Sequence, residues 1–108
     1  MRGRLDRIAE ILPDRAEQVC GLGVRSLNDR VVRPAVERFD PGLVLVSAGF
    51  DAHADDPLGG MRISEPGFRE LARRCRGLSD RLAAVLEGGY NLETLPSLVD
   101  AALDGFTS

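Results

Sequence analysis

Two stretches of this chain carry apolar residues without a break, Leu43-Val44-Leu45-Val46 and Leu82-Ala83-Ala84-Val85-Leu86, and that feature limits the fold more than any other. A strand with one wet face alternates apolar and polar residues. An unbroken β-rich run instead fits a strand buried on both faces, as in a parallel sheet covered by helices. Between the runs, Phe68, Leu71, Ala72, Cys75 and Leu78 recur at helical spacing, with Ser64 where an N-cap belongs and Pro66 in the first turn. The expected unit is strand, helix, strand, with the strands parallel and the crossover right-handed.

Further elements flank this unit. Ser26 followed by Asp29 resembles a capping box with Asp replacing Glu, and Leu27, Val31, Ala35 and Phe39 mark one helical face. A helix over 27–39 follows, kinked at Pro34, where the lost donor and the ring clash cost up to about 3 kcal/mol. Asp40-Pro41-Gly42 then turns the chain into the first strand. Ser47 through Ile63 holds Gly49, Pro57, Gly59 and Gly60, has neither period, and reads as a long loop of the kind that is usually functional. Gly88-Gly89 ends the second strand, and Asn91 is expected to cap a last helix with Leu92, Leu95, Val99, Ala102 and Phe106 facing inward. From Arg2 to Gln18, Leu5, Ile8, Ala9 and Leu12 have helical spacing that Pro13 interrupts, which fits either a short amphipathic helix or a frayed extension.

Composition excludes several classes. The 108 residues are 44% hydrophobic, enough for one small packed domain, although a chain this short leaves much of its surface wet. A net charge of -3 with no concentrated basic stretch argues against direct nucleic-acid binding. No apolar run approaches the roughly 18 residues of a spanning helix, so no membrane role is expected. Cys20 and Cys75 lie far apart and form no CxxC pair, which fits a reducing, cytoplasmic setting and makes Cys75 a core thiol.

Ligands of open α/β sheets bind outside the carboxyl ends of the strands, so Gly49 to Ile63 and Glu87 to Tyr90 should face one site. The first loop holds Asp51, His53, Asp55 and Asp56, ligand types suited to zinc. A solvated acidic turn whose Asp side chains bond their own backbone has the same composition. The second holds Tyr90, the chain's one tyrosine, directly after two glycines that permit close backbone approach. Its phenol can donate to a developing oxyanion or simply close the sheet edge.

Two longer motifs are more specific. Val46-Ser47-Ala48-Gly49-Phe50-Asp51-Ala52-His53-Ala54-Asp55-Asp56-Pro57-Leu58-Gly59-Gly60 resembles the zinc-ligand loop of histone deacetylases, and Leu86-Glu87-Gly88-Gly89-Tyr90-Asn91-Leu92 resembles their catalytic-tyrosine loop. The order is that of the family, and Val31-Val32-Arg33-Pro34 and Phe39-Asp40-Pro41 also fit. The resemblance covers residues 24–108, and the wording is closest to the class II, acetylpolyamine amidohydrolase and acetoin-utilisation branch. Residues 1–23 read as an N-terminal extension outside it.

The resemblance implies part of an arginase-like, three-layer α/β/α domain with a parallel sheet. It implies metal-assisted hydrolysis of acetyl-lysine or acetylpolyamine amides, with Asp51 as a zinc ligand and Tyr90 as the catalytic hydroxyl that polarises the acetamide carbonyl. Leu58 corresponds to an apolar residue of the acyl-lysine tunnel, with Gly88 and Gly89 shaping its floor. His53 and Asp56 take supporting places behind the metal ligand, His53 not itself being a ligand. Family members also use a tandem histidine pair and an upstream Asp-x-His, whereas this chain has one histidine. The resemblance thus implies Zn(2+) only in the context of a complete domain, an upstream polypeptide as the completing partner, and no activity from the chain alone. A non-catalytic α/β binding or interaction module derived from the same fold is the alternative.

Overall fold

The computed structural model describes residues 28–108. The expected N-terminal helix, the extension over residues 1–23 and the capping residue Ser26 lie outside them. A π-helical turn, Asn28–Val32, runs into α1 (Arg33–Phe39), followed by β1 (Val44–Ala48), α2 (Glu65–Arg76), β2 (Leu82–Leu86) and α3 (Leu95–Thr107). The order is the expected one: helix, strand, helix, strand, helix.

Pro34 sits in the first turn of α1. The single kinked helix expected over 27–39 is therefore two helical segments. Pro34 has no N–H for the carbonyl of Arg30 and its ring crowds that carbonyl, and the wider π turn ahead of it gives the ring room. Asp40 ends α1 in the left-handed region at φ 49°, its N–H bonding the Val36 carbonyl at 2.8 Å. Asp29 pairs with Arg74 of α2, tying the π turn to that helix.

The strands pair in parallel, from Val44 opposite Leu82 to Ala48 opposite Leu86. Ser64 caps α2 as expected, its hydroxyl accepting the Gly67 N–H at 3.2 Å. The core lies where α2 and α3 meet the end of β1: Phe50, Phe68, Ala72, Leu98 and Ala102 are buried together. Each large side chain there contributes about 1.5–3 kcal/mol by leaving water. The rings of Phe50 and Phe68 stack tilted by 53° with centroids 5.2 Å apart. Cys75 is buried and free, and burial pushes its thiol up to about 12.

Four expectations fail. β1 starts at Val44, and Leu43 is exposed in the turn that follows Gly42. β2 has the expected bounds but not the expected burial. Ala83 through Leu86 are exposed, because the sheet has two strands among the described residues and nothing there covers β2. Leu92 faces water, not the core. Asn91 makes a turn instead of capping the helix: its Oδ1 accepts the Glu93 N–H at 3.0 Å and its carbonyl the Leu95 N–H at 3.0 Å, so α3 starts later. Among the described residues no helix is long and apolar enough to cross a membrane.

Candidate active site

The backbone pairing of the two strands continues past their carboxyl ends and brings the motif loops together. Glu87 donates its N–H to the Ala48 carbonyl at 3.0 Å, and Phe50 donates to the Gly88 carbonyl at 2.7 Å. Phe50 is buried in the core, which anchors its neighbour Asp51. The Asp51 carboxylate lies across two glycines. A methyl on Gly88 would stand 2.7 Å from Oδ1 and 2.8 Å from Cγ, and one on Gly49 2.9 Å from Oδ1. Any side chain at Gly88 would therefore push the carboxylate out of its place. Gly59 closes over the same residue from the backbone side, where a methyl would fall 1.5 Å from the Asp51 carbonyl oxygen.

The first loop is pinned at its base. Ile63 donates to the Ala52 carbonyl at 3.0 Å and accepts from Ala54 at 3.1 Å, so His53 and Ile63 form a parallel bridge. His53 Nδ1 accepts the Asp55 N–H at 3.2 Å, and the ring lies 6.4 Å from that of Phe68. One of its two nitrogens is thus engaged within the loop.

Asp56 holds the turn and reaches across. Its Oδ1 accepts from Leu58 N–H at 2.8 Å and Gly59 N–H at 3.0 Å, and its Oδ2 accepts the Tyr90 N–H at 2.8 Å. Loss of surrounding water pushes the carboxyl up, but the N–H groups of Tyr90, Leu58 and Gly59, together with nearby His53, outweigh it and hold the group below its ordinary value. Asn91 reaches the other way, its Nδ2 donating to the Asp55 carbonyl at 2.9 Å.

Tyr90 is 53% exposed and Leu58 71% exposed, so both present surface at this edge of the sheet. Gly89, at φ 141°, holds a backbone shape that side chains rarely adopt, and a methyl there would meet Leu95 Cδ1 at 2.8 Å. Asp51 meets Gly88, and Asp56 meets both Leu58 and Tyr90. Sequence reasoning missed Gly49 as the second wall of the Asp51 cradle and Asn91 as a link between the loops. The Gly49-Phe50-Asp51 order could have signalled the first; nothing local signals the second.

A catalytic zinc takes three protein ligands. Among the described residues no three His, Cys, Asp or Glu side chains converge in a way that could hold a metal ion. Asp51 can supply one carboxylate, so these residues do not by themselves fit a zinc site.

With two loops meeting over a parallel strand pair, comparison with known proteins becomes informative. The histone deacetylase domain model matches residues 16–106. Histone deacetylase 10, chloroplastic, from Oryza sativa subsp. japonica is 47% identical over 81 residues, which are 70% of this chain and 18% of the rice protein. The crystal structure of the HDA15 HD domain superposes with a TM-score of 0.69 at 32% identity, covering 74% of this chain and 23% of that one. An acetylpolyamine aminohydrolase from Burkholderia pseudomallei gives a TM-score of 0.68 at 26% identity, covering 80% and 25%. The chain belongs to the histone deacetylase family, and its helices and parallel strands are part of that family's arginase-like α/β architecture. It spans a quarter or less of the length of each of these three proteins.

Proposed function

We propose that this chain is one part of a zinc-dependent deacetylase domain hydrolysing acetyl-lysine or acetylpolyamine amides, completed by further polypeptide. Asp51 is then one metal ligand and Tyr90 the hydroxyl that donates to the acetamide oxygen as negative charge develops on it. Leu58, Gly88 and Gly89 line the path of the acylated side chain, and His53 packs behind the ligand loop. The observation that carries this reading is the joining of the Asp51 and Tyr90 loops through Phe50 N–H to the Gly88 carbonyl and Tyr90 N–H to Asp56. The exposure of β2 among the described residues supports a completing polypeptide, since a strand this apolar gains most when covered. The buried, unpaired Cys75 thiol fits a reducing, cytoplasmic setting.

In such a completed domain zinc, with Asp51 as one of its ligands, would supply polarisation of the carbonyl and activation of water. The single histidine of this chain leaves the general base and the remaining ligands to the completing polypeptide. The test mixes the purified chain with a polypeptide carrying the upstream part of a family domain and assays acetyl-lysine peptide and acetylpolyamine. Hydrolysis is expected only with both present, to be lost with Asp51→Ala, and to fall about 10²–10³-fold with Tyr90→Phe. Enzyme-like, zinc-dependent hydrolysis by the chain alone would overturn the reading. Tight binding of an acetylated ligand without turnover in any mixture would favour the non-catalytic binding module instead.

A further inference from the structure

The two motif loops are tied by a reciprocal pair of hydrogen bonds. A side chain of the first, Asp56, holds a backbone N–H of the second, at Tyr90; a side chain of the second, Asn91, holds a backbone carbonyl of the first, at Asp55. One carboxylate also organises the turn under Leu58, through Oδ1 to Leu58 and Gly59. Leu58 and Tyr90 are therefore fastened to opposite oxygens of the same rigid, planar group. We infer that Asp56 is the positioning residue that sets the spacing between the apolar wall at Leu58 and the phenol at Tyr90, with Asn91 as the second half of the clasp. This deepens the deacetylase reading and rests on it for the roles of Leu58 and Tyr90. A neutral amide cannot replace the carboxylate, because one of its ends is a donor and would face an N–H. Asp56→Asn thus keeps either the turn or the link to Tyr90, not both.

Tyr90 is the chain's only tyrosine, so a chain isotopically labelled at tyrosine alone gives a single amide resonance, that of the clasped N–H. Asp56→Asn is expected to shift this resonance and to speed its hydrogen exchange about tenfold or more, as loss of a bond to a charged acceptor does. Asp55→Asn removes the same charge one residue away from a side chain that makes none of these bonds, and should leave the resonance in place. Equal effects of the two variants, or no effect of Asp56→Asn, would overturn the inference. If Asp56→Asn does not fold by circular dichroism, Asn91→Ala takes its place: exchange of the Tyr90 N–H should again quicken, and an unchanged rate would overturn the clasp. The readout needs neither metal nor substrate. A harmless Tyr90→Phe in the activity mixture beside a moved amide in Asp56→Asn would sink the catalytic reading and leave the clasp standing.

Discussion

The seam between α2 and α3 and the outer strand β2 are built from similar residues and end in opposite environments. In the seam, Leu98, Ala101 and Cys75 are each 1% exposed; in the strand, Val85 is 53% and Leu86 56% exposed. Gly105 lets the helices approach until a methyl there would lie 2.3 Å from the Arg69 carbonyl oxygen. At β2, by contrast, Ala83 through Leu86 stay exposed among the described residues. Apolar character thus does not by itself bring about burial. The helix layer finds its partner among the described residues, whereas the strand carries the composition of an interior position without one there.

The sharpest way to break this comparison is to delete the same atoms on both sides. Leu98→Ala should cost about 2–5 kcal/mol in urea unfolding of the chain, because the seam closes poorly over the cavity. Leu86→Ala should stay within about 1 kcal/mol, since more than half of that side chain is already in water. Equal costs would mean that β2 is covered in solution. In the completed domain the gap between the two variants should narrow, which urea unfolding of the mixture would show.

Glycines give the next contrast. Gly105→Ala forces the α2 backbone away from α3 and should destabilise by about 1–3 kcal/mol. Gly42, in the turn before β1, has nothing within 4 Å of an added methyl and no left-handed φ. Gly42→Ala should be neutral, or stabilise by about 0.4–1 kcal/mol through the less free unfolded chain. Thermal unfolding of the two variants side by side decides it, and a neutral Gly105→Ala would show a looser seam than the packing implies.

The same contrast marks what the sequence disclosed. Local rules placed α2 by Ser64 and its 3.6-residue stripe, placed both strands by their unbroken runs, and placed the two loops on one edge because parallel strands end on one side. The parallel pairing could be deduced, and with it the meeting of the loops that carry Asp51 and Tyr90. The exposure of β2 could not, since a strand's residues record the surroundings that suit it and not whether they are present. Asn91 defeats a reading from sequence for a different reason. A side-chain oxygen accepting an N–H two residues ahead belongs equally to a cap and to a turn, and only the observed Leu95 start of α3 separates them. The bonds from Asp56 to Tyr90 and from Asn91 to Asp55 join residues too far apart in sequence for any local pattern to announce.

The smallest expected effect concerns charge on α2, where Glu70 pairs with Arg73 and with Arg74, the arginine that also holds Asp29 of the π turn. Glu70 on α2 loses surrounding water, which pushes its carboxyl up, but Arg73 and Arg74, each 2.9 Å away, outweigh this and hold it below its ordinary value. A carboxyl whose folded pKa is depressed contributes stability above its unfolded pKa and loses it as pH falls through the folded one. The wild-type chain should therefore lose stability in acid, and Glu70→Gln should flatten that loss by a few tenths of a kcal/mol. Glu37→Gln is the matched control, because its pair with Arg33 on α1 is 57% and 68% exposed against 20% for both members of the Glu70–Arg74 pair. Urea midpoints followed across the acid range read the difference. If Glu37→Gln flattens the profile as much as Glu70→Gln does, the ion pairs of α2 behave as solvated ones. The Arg69–Asp104 pair that joins α2 to α3, with side chains 45% and 63% exposed, then has still less to add, and the seam owes its advantage over β2 mainly to apolar contact.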